Sequence, residues 1–396
     1  MDSEPINKRF MFGSLYIFLI TGAIVLMTSS ILTYLMQHYQ LNYDQGGLLL
    51  SLLAVGSVMS NFLSGALAIR IGRKPALMLA AVCYLVGYGG LSLLPPLPVL
   101  YLLMLITGLG WGTFNNLINF LLTLAARGDS RKIILGHTSY SAGALLAPLL
   151  VGLFVGLGLT WQIPVAIIAG LSLLMILIIL IMPIPEVNLP RGHKTKISLA
   201  FLRKWRFYLY VLLFFTYVGV EAGFYGWIVS YLTTLRNFND PDAQVLLSML
   251  WVMILVGRVA FVFFGKRLPK ALFLLFEACG VLIGALLLII AEQPILLTVA
   301  VIFTGLSLSS FYGMIISNAS ELLTESTLAS GLMLSFGGLG ATVIPLLIGI
   351  LASQYGLMSG LIFLAAMAGG LLLLTTINFA ARRQNEQRTT SNEQLL

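Results

Sequence analysis

Pro148-Leu149-Leu150-Val151-Gly152 recurs 197 residues further on as Pro345-Leu346-Leu347-Ile348-Gly349. The same offset carries Leu49-Leu50-Ser51-Leu52-Leu53 onto Leu246-Leu247-Ser248-Met249-Leu250, and Thr107-Gly108-Leu109 onto Thr304-Gly305-Leu306. Gly22 falls on Gly219, Tyr34-Leu35 on Tyr231-Leu232, Phe114 on Phe311 and Gly143 on Gly340. Leucine-rich stretches match by chance. Glycines and prolines that hold a single offset are much less open to that explanation. The chain is therefore read as two copies of one unit, each about half of its 396 residues.

Composition says what solvent those units face. Hydrophobic residues make up 59% of the chain, charged residues 9%, and the mean hydropathy is +0.99. A soluble domain carries about 25% charged residues, so a chain this poor in charge cannot cover a surface that faces water. Lipid is its solvent. Spans of roughly 20 apolar residues fall at about 10–36, 46–69, 75–94, 98–123, 133–158, 161–183, 206–235, 243–264, 270–290, 294–319, 327–354 and 357–380. Turn chemistry marks the breaks at Pro95-Pro96-Leu97-Pro98, Asp240-Pro241-Asp242 and Gly192. The reading is an all-α membrane protein of twelve transmembrane helices in two pseudo-symmetric six-helix bundles. Residues 1–184 and 206–381 form the bundles, 185–205 a cytoplasmic linker, and 382–396 a disordered polar tail. An even number of helices per copy gives both copies the same topology. They are then related by an axis along the membrane normal, and the site is expected at their interface.

Charge sets the orientation. With the N-terminus in the cytoplasm, every lysine and arginine except Arg236 and Arg258 falls in the cytoplasmic gaps or tails. Both termini are thus expected inside a plasma membrane of the bacterial inner-membrane type. The net charge of +8 is this loop bias, not a nucleic-acid surface. Lys8 and Arg9 precede an apolar run too long for a cleavable signal. Cys83 and Cys279 lie inside apolar runs, without metal-ligand spacing. No Walker-type phosphate loop or nucleophile elbow is present. Neither an enzyme, an ATP-driven pump, a cofactor nor a metal is expected. The short loops argue against a receptor or scaffold with a large soluble appendage, and a monomer in contact with lipid is expected.

Gly65-Ala66-Leu67-Ala68-Ile69-Arg70-Ile71-Gly72-Arg73-Lys74 resembles the loop motif between helices 2 and 3 of the major facilitator superfamily, and the resemblance extends over essentially the whole chain. Ile69 stands where that family usually has an acid, so the usual loop ion pair is missing. Within the superfamily the chain is most similar to the fucose–proton-symporter branch of sugar permeases. Three stretches carry that likeness: Gly108 to Asn119, His137 with Gly143 to Pro148, and Tyr217 to Trp227. Ser30 and Asn115 occupy places where fucose permeases carry acids, which sets fucose itself aside. The resemblance implies that the first, fourth, seventh and tenth helices line a central cavity.

Glu221 is the sharpest signal, since it lies about 20 Å deep in the seventh helix, where an ionised carboxylate costs roughly 3 kcal/mol or more. Such an acid is a candidate for binding solute and for carrying the coupling ion. Tyr217, Glu221 and Tyr225 share a helix face, as do Trp111, Asn115 and Asn119. Amides and phenols suit sugar hydroxyls, and aromatic faces suit sugar C–H faces. Trp227, Tyr312, Asn318 and, through the resemblance, His137 complete the candidate solute-binding set, against the plainer role of such groups in holding helices together. Arg258 and Glu277 lie at similar depth, and Arg258 is expected to pair with Glu277 or with a helix C-terminus in a mainly structural role; Arg70 and Arg73 serve conformational control. The expected function is secondary active transport by alternating access of a small polar solute, a monosaccharide, coupled to proton or sodium. The alternative is a proton-coupled multidrug or amphiphile exporter.

Overall fold

A computed structural model describes residues 7–126, 130–184, 200–264, 269–325 and 327–393, and all regular structure among them is helical. The first half holds α1 (Lys8–Tyr39), α2 (Tyr43–Ile71), α3 (Arg73–Ser92), α4 (Leu97–Ala126), α5 (Ser130–Gly156) and α6 (Gln162–Ile181). The second holds α7 (Trp205–Leu235), α8 (Asp240–Phe264), α9 (Lys270–Ile290), α10 (Pro294–Leu308), α11 (Phe311–Glu325), α12 (Thr327–Tyr355) and α13 (Leu357–Glu393). α10 and α11 are two pieces of one span. They are separated by Ser309 and Ser310, hydroxyl side chains that compete with helix for backbone hydrogen bonds. Among the described residues, twelve helices are long and apolar enough to cross a membrane, as the apolar runs require. An even number of crossings brings both ends of the chain to one face, the termini face; the opposite face is the far face.

The repeat is visible in the packing. α1 packs on α5 and α7 on α12; α2 packs on α4 and α8 on α10; α3 packs on α6 and α9 on α13. The shared glycines explain why those positions are kept in both copies. A Cβ on Gly108 would sit 2.1 Å from the Leu53 carbonyl oxygen, and one on Gly305 would sit 2.5 Å from that of Leu250. Both members of each pair obey the 197-residue offset, so the same close helix crossing is built twice.

The two halves meet chiefly through α2 against α12 and α5 against α8. Thr33 and Ser230, themselves 197 residues apart, hydrogen-bond at 2.9 Å. Equivalent residues touch only where a two-fold axis passes, so this contact locates the pseudo-symmetry axis near the far face. Around it, Ser353 Oγ donates to Asp44 Oδ1 at 2.8 Å, Ser51 Oγ to the Thr342 carbonyl at 2.7 Å and Gln244 Nε2 to the Ser30 carbonyl at 2.7 Å. A Cβ on Gly349 would lie 3.2 Å from the Gly47 Cα. These contacts close the far half of the seam. Asn115, His137 and Tyr312 are exposed on the other side of the closure, as an opening toward the termini face would leave them.

One boundary differs from expectation. α13 runs on to Glu393, so residues 382–393 are helical and not a disordered tail. A helix already nucleated in the bundle extends cheaply through straight-chain residues such as Arg382, Arg383 and Gln384. Most of the expected linker, 185–199, lies outside the described residues, and Ala200–Arg203 forms a short 3-10 turn before α7.

Substituting alanine at Gly108 or Gly305 is expected to destabilise the bundle by about 1–3 kcal/mol, seen as a lower melting temperature of the detergent-solubilised protein. Gly89→Ala, where a Cβ would meet nothing within 4 Å, is expected to melt like the parent.

Candidate functional site

Tyr217, Glu221 and Tyr225 project from one face of α7, as their spacing demands. Tyr217 is fully buried, stacked on Phe311 at 5.0 Å between ring centroids. Its hydroxyl donates to Glu221 Oε1 at 3.0 Å. Glu221 itself is partly exposed, and its second oxygen has no hydrogen-bond partner among the described residues. One carboxylate oxygen is thus positioned by the protein and the other is left without a described partner. Beyond it, Tyr225 lies 6.2 Å and Tyr140 6.1 Å from the Trp251 ring, so α5, α7 and α8 together supply a three-ring aromatic wall. Trp111 of α4 reaches the same depth, where it lines a small void with Ala222 and Tyr225.

The α4 amides behave as a unit. Asn119 Nδ2 donates to the Asn115 carbonyl at 2.6 Å and to Asn115 Oδ1 at 3.2 Å. Asn119 therefore orients Asn115, which is exposed and whose own amide N–H groups make no hydrogen bond among the described residues. Their neighbour Asn116 has the other role, donating to the Asn61 carbonyl and to Ser64 Oγ and so tying α4 to α2.

Of the two partners expected for Arg258, it takes the helix C-terminus and not Glu277. Arg258 Nε donates to the Ser309 carbonyl at 3.1 Å, and its Nη1 donates across the seam to Ser141 Oγ at 3.0 Å. Glu277 Oε1 accepts the Ser310 N–H at 2.9 Å, while Oε2 has no hydrogen-bond partner among the described residues. The break between α10 and α11 stands between them. It offers an unsatisfied carbonyl at the end of α10 and an unsatisfied N–H at the start of α11. A cation at the first and an anion at the second is the arrangement that half-helix dipoles favour. Arg258 also interacts electrostatically with Glu221, His137 and Glu277. It is the positive centre of the site, and Glu277 reaches it through the broken helix.

Other expected residues divide. Tyr312, 41% exposed and edge-on to Phe214, faces the cavity and interacts electrostatically with Glu221. His137 is exposed beside the Phe18 ring and interacts with Arg258. Trp227 is not a cavity residue; it is buried, and its Nε1 donates to the Pro345 carbonyl at 3.0 Å beside Tyr43, bracing the far closure. Asn318 is not one either. It is buried, Nδ2 donates to the Met314 carbonyl, and its own carbonyl accepts from Arg382 of α13. Their spacing on α7 and α11 was compatible with the cavity, but Trp227 is turned to the far closure between α12 and Tyr43 of the first half, and Asn318 packs inside its own half. Arg70 is exposed at the end of α2, Arg73 lies over the Phe120 ring at 5.9 Å, and Ile69 is 79% exposed. The sequence reading missed Tyr140, Ser141 and Trp251. The first two follow His137 at three and four residues and so share its face, a signal the sequence offered; Trp251 sits in an apolar run that gives none.

Comparison with known proteins places this architecture. The family model described as Major Facilitator Superfamily matches residues 13–327. The chain belongs to that superfamily, a family of membrane transporters and not of enzymes. Among curated relatives, the glucose/mannose transporter GlcP of Bacillus subtilis is 20% identical, with 98% of each chain covered. The protein TsgA homolog of Buchnera aphidicola is 22% identical, with 88% of this chain and 90% of the relative covered. The crystal structure of a point mutant of the nucleoside transporter NupG superposes with a TM-score of 0.78 at 16% identity, covering 94% of this chain and 99% of that one.

Glu277→Gln keeps an acceptor for the Ser310 N–H and is expected to retain the melting temperature. Glu277→Leu orphans that N–H and is expected to cost about 1–3 kcal/mol. The double swap of Arg258 to Glu and Glu277 to Arg is expected to show no mutual rescue in the same melts, because the two side chains do not touch.

Proposed function

We propose that this protein is a secondary active transporter that moves a small polyhydroxylated solute of the monosaccharide class by alternating access, coupled to the proton through Glu221. The observation that carries the reading is the carboxyl of Glu221, partly exposed in mid-bundle, positioned by Tyr217 on one oxygen and without a described partner on the other. Asn115, Tyr312 and Arg258 supply hydrogen-bonding groups around that cavity, and Trp251 with Tyr140 and Tyr225 supplies aromatic faces, the combination that sugar recognition uses. The relative GlcP, whose name gives glucose and mannose as its cargo, agrees with this class.

The coupling follows from electrostatics. Closing an apolar bundle around an ionised carboxylate removes it from water, a cost of several kcal/mol unless it is fully compensated. Arg258 is nearby but already engaged with Ser309 and Ser141. Protonation of Glu221 removes that cost, and solute hydroxyls replace the water lost from the cavity. Closure then proceeds with both proton and solute aboard, and the two fluxes are linked. A sodium ion fits less well. The coordinating carbonyls that broken helices usually offer a sodium ion are represented here by Ser309, which Arg258 occupies. The lysine and arginine bias makes the termini face cytoplasmic in a plasma membrane, so the conformation described is open to the cytoplasm. An amphiphile exporter would need no orienting amide such as Asn115, which favours the sugar reading.

In membrane vesicles, Glu221→Gln is expected to abolish uphill accumulation of labelled D-glucose driven by a proton gradient while preserving part of the exchange of labelled for unlabelled glucose. Gradient-driven accumulation at the parent level would remove Glu221 from the coupling step. Dye efflux without sugar uptake from the parent protein would replace the substrate class.

A further inference from the structure

Ten buried side-chain nitrogen and oxygen atoms lack a hydrogen-bond partner among the described residues, and five of them lie on α1 and α8: Ser29 Oγ, Ser30 Oγ, Tyr34 Oη, Gln244 Oε1 and Trp251 Nε1. None of these side chains is more than 8% exposed, and Ser30 and Gln244 are 0% exposed. Buried polar atoms in a finished core are nearly all paired. Half of the orphans therefore gather on two helices that belong to different halves of the molecule and meet where Gln244 Nε2 donates to the Ser30 carbonyl.

The geometry is that of a collapsed cleft. Ser30 and Tyr34 are one turn apart on α1 and share a face, and Tyr34 lies beside Asp240 and Gln244. Gln244 and Trp251 are two turns apart on α8 and share a face in the same way. Ser29, one residue round from Ser30, lines the void of about 20 Å³ that separates this region from Tyr225 and Trp111 of the central site. That is room for one water and no more. Every orphan named is a neutral donor or acceptor. When the halves part on the far face, the bond from Gln244 to Ser30 breaks. A free amide, a phenol and two serine hydroxyls then line the opening.

We propose that Ser29, Ser30, Tyr34 and Gln244 form a second solute subsite, lying toward the far face from Glu221, that is assembled when the bundle opens to that face and binds the hydroxyls of a neutral polyhydroxylated solute. The inference rests on the alternating-access reading above and adds to it a first station for solute arriving from the far face. Groups that donate and accept suit hydroxyls, and the one charged neighbour named here, Asp240, disfavours an anionic solute. Trp251 joins the two stations, since its ring belongs to the aromatic wall of the central site and its Nε1 to the row of orphans. In the conformation described, the far closure holds these groups together, with Gln244 Nε2 on the Ser30 carbonyl and both serine hydroxyls and Gln244 Oε1 left without a partner among the described residues.

The test compares the two faces. In whole cells, Gln244→Leu is expected to raise the external KM for labelled D-glucose about fivefold to tenfold, the effect of losing one or two neutral hydrogen bonds. The KM measured from the termini face in inverted vesicles is expected to stay within about twofold of the parent, and Gln244→Asn is expected to recover part of the external loss. An equal shift on both faces, or none on either, overturns the proposal. Because misfolding would mimic lost binding, a second measurement uses Gln244→Cys in a chain with Cys83 and Cys279 replaced by alanine. A membrane-impermeant thiol reagent added to cells is expected to modify the introduced thiol, and saturating D-glucose is expected to slow the modification. A thiol that never reacts from outside overturns the subsite, as does one that reacts without protection in a protein that carries glucose. A parent protein that carries no glucose contradicts the monosaccharide reading instead. The subsite is then decided by whether glycerol or inositol slows the modification, and the absence of any slowing overturns it.

Discussion

An acid at the middle of an apolar bundle is costly wherever it is not compensated, and the arrangement around Glu221 follows from that cost. Tyr217, fixed by stacking on Phe311, donates to one oxygen. Arg258 supplies positive potential without forming a direct ion pair. It is held off by bonds to the Ser309 carbonyl and, across the seam, to Ser141. A direct ion pair would neutralise the carboxylate and remove its reason to take up a proton. A charge held nearby but otherwise engaged leaves the carboxylate dependent on what the cavity contains. The broken span of α10 and α11 is what engages it, and Glu277 fixes the other side of the break by accepting from Ser310. The acid, the cation and the break form one assembly.

That assembly occupies only one half. At the 197-residue offset, Glu221, Arg258 and Glu277 correspond to Ile24, Asn61 and Ala80 of the first half. The copies thus share the features that make them pack, the glycines at close crossings, and have diverged where charge sits. The first half answers with amides on α4, where Asn119 orients Asn115, and with Ser141 on α5. Solute recognition and ion chemistry are in this way divided between two frames that move against each other, and Thr33 and Ser230 on the pseudo-symmetry axis mark where they touch.

Much of this was legible in the sequence, for physical reasons that differ by residue. Twelve spans follow from the need for apolar length in lipid. The repeat was legible because glycine at a close crossing tolerates no Cβ, so Gly108 and Gly305 stand at equivalent positions. Glu221 stood out because a carboxylate is rare in such surroundings. What stayed hidden depended on direction or on partners. Trp227 and Asn318 looked like cavity residues, but a polar group on a seam helix serves equally well turned inward, where Trp227 braces Pro345 and Asn318 meets Arg382. Arg258 and Glu277 matched in depth, and depth alone cannot reveal the helix break between them. Trp251 carries no polarity signal, and only its packing between Tyr140 and Tyr225 gives it a role. The helical extension to Glu393 escaped composition because a polar segment continues a helix that the bundle has already nucleated.

The central claim is that Glu221 exchanges a proton in step with solute binding, and a proton count tests it most directly. D-glucose is added to the purified protein in weakly buffered solution containing a pH-indicator dye. The account predicts a change of up to one proton per protein in the parent, varying with starting pH, and no change in a Glu221→Gln variant that still binds glucose. An equal proton change in parent and variant, or glucose binding by the parent without one at any pH, would contradict it.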